Sequence, residues 1–149
     1  MTSILTYERE SRWSRKGGRK VTLQERDIQI LLLLQRYRYL RVDFIHAFLG
    51  GNYKALVRRI MWLKREPNFY IRVPTEQQLY IGQYAPQIVE LDYQGEEELK
   101  ARGLHHPNAA VTWLKRKRTD ERFDFEHSVM ICDALANIEA MHSDIVVIR

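Results

Sequence analysis

The sequence predicts a mainly α-helical protein with a small β-hairpin, arranged as a winged helix-turn-helix head and a C-terminal helical segment. Three helix-like segments follow one another with short turns between them, at 24–37, 42–49 and 53–65. Two runs that alternate between apolar and polar residues come next, at 69–73 and 79–81, and predict the two strands of a hairpin. A long apolar segment at 123–142 predicts a further helix.

This order divides the chain into three regions. Residues 1–20 contain too little apolar surface to fold alone, and we expect a flexible basic arm. Residues 21–91 form the predicted head, and residues 92–149 form the C-terminal helical segment, in which Asp92 is a candidate helix cap. The apolar residues of 123–142 spread around most of the helix circumference, more than a small head covers. We therefore expect this segment to dimerise through a second copy of the chain.

Capping signals mark the helices of the head. Thr22 and Glu25 fit the S/T-x-x-E capping box, so we expect the first helix to start near Leu23. Gly50 and Gly51 predict the end of the second helix, because glycine accepts the positive φ of a helix terminus. Asn52 is the expected N-cap of the third helix.

The third helix is predicted to have a buried side and a basic side. On a helical wheel Leu56, Ile60 and Leu63 share one side, which we expect to face the core. Lys54, Arg58 and Arg65 fall on the other side, with Asn52 and Tyr53 at its leading end. Arg58 is the first candidate for contact with a guanine edge, since a guanidinium can donate two parallel hydrogen bonds to O6 and N7, whereas Lys54 suits a phosphate.

The distribution of charge favours a duplex nucleic acid as partner. Fifteen of the 24 Lys and Arg residues but only five of the 19 acids lie in the first 65 positions, which gives this part a formal charge of +10 and the remainder −5. Basic charge focused beside a helix-turn-helix is typical of proteins that bind double-stranded DNA. The cations expected in the arm are Arg12, Arg15, Lys16, Arg19 and Lys20, and Arg72 is the candidate on the hairpin.

Other interpretations of the same residues stay open. The cations of the third helix and of the arm are also compatible with ordinary solvated surfaces, and a winged helix can instead recruit a protein partner. A metal-dependent nuclease or relaxase would use Asp124, Glu126, His127 and Asp144, but carboxylates two positions apart on a helix point in different directions. We therefore expect a DNA-binding protein without catalytic activity.

No cofactor or metal site is expected. His105 and His106 are adjacent and lack a surrounding Cys/His set with ligand spacing. Cys132 is the single cysteine and stands in an apolar run, which is typical of a buried thiol in a reducing compartment, so we expect a cytoplasmic protein. The longest apolar run, Ile30–Leu34, is too short to cross a bilayer. The basic run Lys115–Arg118 fits either phosphate contact or a solvated loop.

A series of short motifs between Thr22 and about Glu139 resembles the plasmid replication-relaxation family. The matching residues are Glu25-Arg26-Asp27-Ile28-Gln29-Ile30-Leu31, Arg38-Tyr39-Leu40, Arg58-Arg59-Ile60-Met61-Trp62-Leu63, Leu91-Asp92-Tyr93-Gln94-Gly95 and Glu126-His127. Asp92 stands where the family usually has Thr. The resemblance implies a winged-helix protein of a mobile element, acting as a transcriptional regulator or as an accessory factor in plasmid replication or transfer.

Overall fold

The computed structural model describes residues 14–75, 77, 87–106 and 121–141, with side chains of the last stretch from His127 onward. The described helices are α1 (Glu25–Arg36), α2 (Val42–Leu49), α3 (Tyr53–Lys64), α4 (Tyr93–Ala101) and α5 (Glu121–Met141). The described strands are β1 (Leu40–Arg41), β2 (Ile71–Arg72) and β3 (Ile88–Leu91). The protein is mainly helical with a small antiparallel sheet, which confirms the predicted class at this level.

The sheet places β3 between the other two strands. Leu40 of β1 pairs with Val89, and Ile71 of β2 pairs with Leu91, both in antiparallel register. The partner of β2 among the described strands is therefore β3, whereas the strand predicted at 79–81 lies outside the described residues. Gln77 lies between the two predicted strands, and its side chain is fully buried, with Oε1 accepting a hydrogen bond from Ile88 N at 2.9 Å.

The first helix begins later than the sequence predicts. Its N-cap is Gln24, whose N–H donates to Asp27 Oδ2 at 2.8 Å, so the capping pair is Gln24 and Asp27 instead of Thr22 and Glu25. The Thr22 carbonyl accepts a hydrogen bond from Arg59 Nη2. The motif prediction failed because the buried Asp27 accepts the backbone N–H at the start of the helix. Arg59 of α3 fixes Asp27 in this position.

One core joins the head and the C-terminal helices. Ile30, Leu31 and Leu34 of α1 have no exposed surface and form its centre. The C-terminal region adds further buried side chains to the same cluster, namely Leu99, Val129, Cys132 and Ala136. The predicted boundary after residue 91 is therefore not a break in the core.

Helix α5 is fixed to the head by two ion pairs as well as by apolar contact with α2 and β1. Asp133 accepts from Arg41 Nε at 2.9 Å. Glu139 accepts from Arg36 Nη2 at 2.7 Å and from the Tyr37 hydroxyl. Both carboxylates of the side chains described on α5 therefore face the head.

A buried ionic cluster lies under the sheet. Glu90 on β3 is 2% exposed, and its two carboxylate oxygens contact Arg38 Nη1 at 2.8 Å and Arg72 Nε at 2.5 Å. The Arg38 side chain is 1% exposed and lies over the Tyr39 ring. The Arg38–Glu90 contact is an ion pair in which Nη1 and Oε2 do not form a hydrogen bond. Burial of this arginine therefore depends on the charge of Glu90.

Candidate nucleic-acid interface

Helix α3 presents a basic surface to solvent. Its side with Leu56, Ile60 and Leu63 is almost completely buried, as the sequence predicts. On the opposite side Lys54 and Arg58 are exposed. Tyr53 and Val57, with exposed fractions of 44% and 40%, lie beside them. The predicted orientation of the helix is therefore confirmed for Lys54 and Arg58, whereas Arg65 is half-buried.

The start of α3 is held in place by its cap and by the turn that precedes it. Asn52 Oδ1 accepts from Ala55 N at 3.0 Å, which confirms the predicted N-cap. Gly50 and Gly51 have φ values of 68° and 83°, a conformation that other residues adopt at a cost. Arg26 Nη2 donates to Gly50 O at 2.5 Å, so a hydrogen bond from α1 stabilises the turn.

His46 supports the same turn from α2. Its Nε2 lies 2.8 Å from Gly51 O, and because a carbonyl oxygen only accepts, the contact favours the tautomer with hydrogen on Nε2. The His46 ring also meets the Tyr53 ring edge to face, with centroids 5.3 Å apart. These contacts fix the direction in which α3 leaves the turn.

Tyr53 is exposed at the leading end of α3, but its hydroxyl is already a donor within the protein. It donates to Asp43 Oδ1 at 2.8 Å, and this hydrogen bond, with smaller contributions from burial and from the charge of Asp43, raises the pKa of Tyr53. The phenol keeps its proton, so its oxygen retains only acceptor capacity. Tyr53 is therefore better suited to contact with an apolar sugar or base surface than to donation to a phosphate.

The two adjacent arginines of α3 have different roles. Arg59 binds Asp27 of α1 through both carboxylate oxygens, with Nε–Oδ1 at 2.9 Å and Nη2–Oδ2 at 2.5 Å. This hydrogen bond raises the pKa of Arg59, although partial burial opposes it. Arg59 therefore joins α3 to α1, while Arg58, one position earlier, points into solvent.

A second basic group surrounds Trp62 near the end of α3, and we call Arg19, Trp62 and Arg65 the Trp62 cluster. The Arg19 guanidinium lies 4.9 Å from the centre of the Trp62 ring, and that of Arg65 lies 6.0 Å from it. Two cations gathered on one indole ring raise the local positive potential, which favours the approach of an anion.

Asn68 attaches this part of the arm to α3. Its Nδ2 donates to Arg19 O at 2.7 Å and to Trp62 O at 2.9 Å, and its Oδ1 accepts from Val21 N at 3.1 Å. The side chain is 3% exposed, so these hydrogen bonds are shielded from water. The backbone of Arg19 therefore has a defined position beside α3.

The structure corrects the prediction of a free arm for the residues from Ser14 to Lys20. Arg15 donates to Lys64 O, Ile71 O and Asp92 Oδ2 at 2.7–3.0 Å and lies over the Phe69 ring. Its guanidinium holds α3, β2 and the cap of α4 together, which removes it from the predicted DNA-binding set.

Close backbone packing explains the attachment of the arm. A Cβ atom added at Gly18 would stand 1.9 Å from Glu66 O, so this approach requires glycine. Lys16 and Lys20 are exposed on either side of it. Arg12, also predicted to contact DNA, lies outside the described residues.

Arg72, the candidate on the hairpin, is paired with an acid of the neighbouring strand. Arg72 forms an ion pair with Glu90 across the β2–β3 ladder, and its side chain is 39% exposed. The charge of this arginine is therefore partly neutralised within the sheet. The tip between β2 and β3 at 78–86 lies outside the described residues.

Asn68 is the contributor that sequence reasoning missed, and the role of Trp62 as the centre of a cation cluster was not predicted either. Trp62 and Arg65 are three positions apart, a spacing that brings side chains together on a helix. Their contact could therefore have been predicted from the sequence. Arg19 is 43 positions from Trp62, and no sequence pattern connects the two.

Most of the residues considered for metal chemistry lie outside the described side chains. Within the described ranges, no group of three His, Cys, Asp or Glu side chains is placed to hold a metal ion. His127 is exposed on α5, whereas the side chains of Asp124 and Glu126, together with Asp144, lie outside the described set. The basic run Lys115–Arg118 also lies outside it.

Comparison with known proteins identified no relative of this chain. No protein-family model, no curated protein and no solved structure matches the chain. None of the helices described between Ser14 and Met141 has the length and hydrophobicity of a membrane span.

Proposed function

We propose that this protein binds double-stranded DNA through a winged helix-turn-helix head, with α3 as the recognition helix in the major groove. The observation that carries the proposal is the exposed basic side of α3, whose opposite side is locked into the core. The order α1-β1-α2-α3-β2-β3 with strand order β1-β3-β2 supports a winged helix, since one strand precedes α2 and two follow α3.

The contacts divide between base edges and phosphates. Arg58 lies in the middle of the exposed side, where a guanidinium has the reach and the paired donors for guanine O6 and N7. Lys54 lies one turn earlier and contacts a phosphate. Tyr53, at the leading end of the helix, contacts an apolar sugar or base surface. The neighbouring Val57 offers apolar contact with a thymine methyl group.

The Trp62 cluster extends the basic surface past the end of α3. Arg19 and Arg65 contact the phosphates that flank the groove, and Lys16 and Lys20 add charge on the same segment. Arg72 makes a minor contribution because Glu90 already pairs with it. Arg12 belongs to the proposed surface on sequence grounds alone.

The biological role that we propose is that of a transcriptional regulator or of an accessory factor for plasmid or mobile-element replication or transfer. It depends on the resemblance of the Glu25–Leu31, Arg58–Leu63 and Leu91–Gly95 motifs to the replication-relaxation family. The structure gives these motifs a physical role, since Asp27 and Arg59 join two helices and Gly95 allows α4 to approach the Tyr70 carbonyl. We propose a non-enzymatic protein of the cytoplasm.

A protein-interaction module is the alternative function. Tyr53 and Val57 are exposed apolar side chains on the same side of α3 as the cations, and such residues also occur at the centre of protein interfaces. The basic charge that surrounds them favours a polyanion over a neutral protein partner.

Equilibrium binding to a labelled duplex of random sequence and about two helical turns tests this function. We expect binding that weakens with salt, because Lys54, Arg19 and Arg65 each neutralise one phosphate and release its counterions. Three phosphate contacts would give a slope of about −2.7 in a plot of log K against log salt. Absence of binding at about 50 mM salt, or a slope near zero, would contradict the proposal.

A further inference from the structure

Helix α5 has one side that nothing in the described part of the chain covers. Its side chains described from His127 onward include a buried side toward the head and an exposed side, with half-buried residues between them. Met130, Ile131, Ile138 and Met141 have exposed fractions of 60%, 45%, 45% and 70%. The full exposed set is His127, Met130, Ile131, Ala134, Asn137, Ile138 and Met141, which we call the α5 stripe.

The α5 stripe contains no Lys, Arg, Asp or Glu. Both acids of this stretch, Asp133 and Glu139, point to the head and are held by Arg41 and Arg36. A helix side that stays in water usually has charged residues, and clustered apolar side chains without them mark an interaction surface. The partner must therefore offer an apolar and uncharged surface of similar length.

We infer that the partner is a second copy of this chain, docked through the α5 stripe in an antiparallel two-fold dimer. An uncharged stripe meets its own copy without charge repulsion, whereas a polyanion or a basic partner would find no counter-charge there. The inference does not depend on DNA binding, since no residue of α3 contributes to it.

Ala134 lies at the centre of the α5 stripe, and this position defines the geometry. The exposed residues stand three, four and seven positions on either side of it, so a two-fold axis at Ala134 brings Met130 of one copy opposite Ile138 of the other. The small side chain at the axis allows the two helices to approach closely. Larger residues on both sides then pack around the crossing point.

The size of the α5 stripe sets the expected strength of the dimer. From His127 to Met141 the helix is about 22 Å long. A single helix side of this length is smaller than the roughly 800 Å² per partner of a standard stable interface. We therefore expect dissociation at micromolar concentrations, with a dimer that DNA half-sites would strengthen by holding two copies side by side.

Sedimentation velocity over a micromolar concentration series, without DNA, tests the inference. We expect the wild-type protein to shift from monomer to dimer as its concentration rises. The Ile138→Glu protein should remain a monomer, because dimerisation would bury the glutamate charge in the interface. Leu104→Glu is the matched control, since Leu104 is 42% exposed outside α5 and should leave dimerisation unchanged. A monomeric wild type at all concentrations, or an Ile138→Glu protein that dimerises normally, would overturn the inference.

A cysteine at the proposed axis gives a second readout that does not depend on tolerance of a buried charge. Ala134→Cys is expected to form a disulfide between two copies under mild oxidation, whereas Leu104→Cys is not, and Cys132 is buried in both. A monomeric Ala134→Cys protein under oxidation would contradict the two-fold packing. If the wild-type protein is a monomer and Ile138→Glu lowers its free energy of unfolding, another part of the same chain covers the α5 stripe, and the inference is overturned.

Discussion

Joint replacement of Lys54 and Arg58 by Ala is expected to weaken binding to duplex DNA by roughly 30- to 700-fold. The loss combines one guanidinium that contacts a base edge, about 1–3 kcal/mol, with one phosphate contact of about 1 kcal/mol. The slope of log K against log salt should also become less steep by about 1 unit, because one phosphate contact is lost. Fluorescence anisotropy with the wild-type and variant proteins measures both quantities.

The matched control for this variant removes the same charge elsewhere. Lys100 and Arg102 are exposed cations that pair with glutamates of α4, and their joint replacement by Ala should change affinity by only about twofold. Both double variants should keep the wild-type melting temperature, because exposed substitutions change stability by about 0.5 kcal/mol or less. Equal losses of affinity in the two variants would mean that net charge, not the α3 surface, attracts the DNA.

Glu90→Ala is expected to lower the free energy of unfolding by about 3–5 kcal/mol, a large part of the stability of an ordinary domain. The substitution leaves the Arg38 guanidinium, 1% exposed, without its counter-charge. Because this guanidinium is buried away from solvent, its charge must stay uncompensated or the sheet must open. Urea unfolding followed by circular dichroism measures the change.

Two comparison variants distinguish the buried charge from other effects at this position. Arg72→Ala removes the half-exposed partner of Glu90 and should cost less than about 1 kcal/mol. Replacement of both Arg38 and Glu90 by Leu removes the buried charges together and should be less destabilising than Glu90→Ala alone. A Glu90→Ala protein within about 1 kcal/mol of wild type would contradict this account of Arg38.

The helical periodicity of the sequence predicted α2 and α3 well, because their apolar spacing and caps are local properties. Asn52, Gly50 and Leu56 each act within one turn of their own position, so a short window contains their signal. The start of α1 was wrong because Asp27 acts through Arg59, 32 positions away. A capping motif spans only a few residues, so it contains no information about a partner that far away in the sequence.

The described part of the arm, Ser14 to Lys20, was the larger error, and its cause is similar. Composition predicts that Gly17, Gly18 and the surrounding cations do not fold alone. It does not show that Asn68 and Asp92 provide acceptors and donors for this segment from elsewhere in the chain. Asp92, the departure from the family pattern, supplies the carboxylate that binds Arg15 and also accepts the Tyr93 N–H at the start of α4.

The sequence predicted which cations belong to the candidate interface, but not which of them are already paired with acids of the same chain. Lys54 and Arg58 are exposed as expected, whereas Arg15 and Arg72 are bound to Asp92 and Glu90. Net charge alone treats all four as equal. Only the tertiary position of the acids shows which cations keep their charge directed to solvent.

The most direct test of the central claim is a photo-crosslink from the exposed side of α3. Val57→Cys places a thiol beside Arg58 at a position that is 40% exposed, while Cys132 is buried, so a benzophenone maleimide labels this position selectively. With duplex DNA, we expect crosslinks from the labelled Val57→Cys protein and none from a labelled Leu104→Cys control. Retained DNA binding with crosslinks only from the control would contradict the claim that α3 faces the DNA.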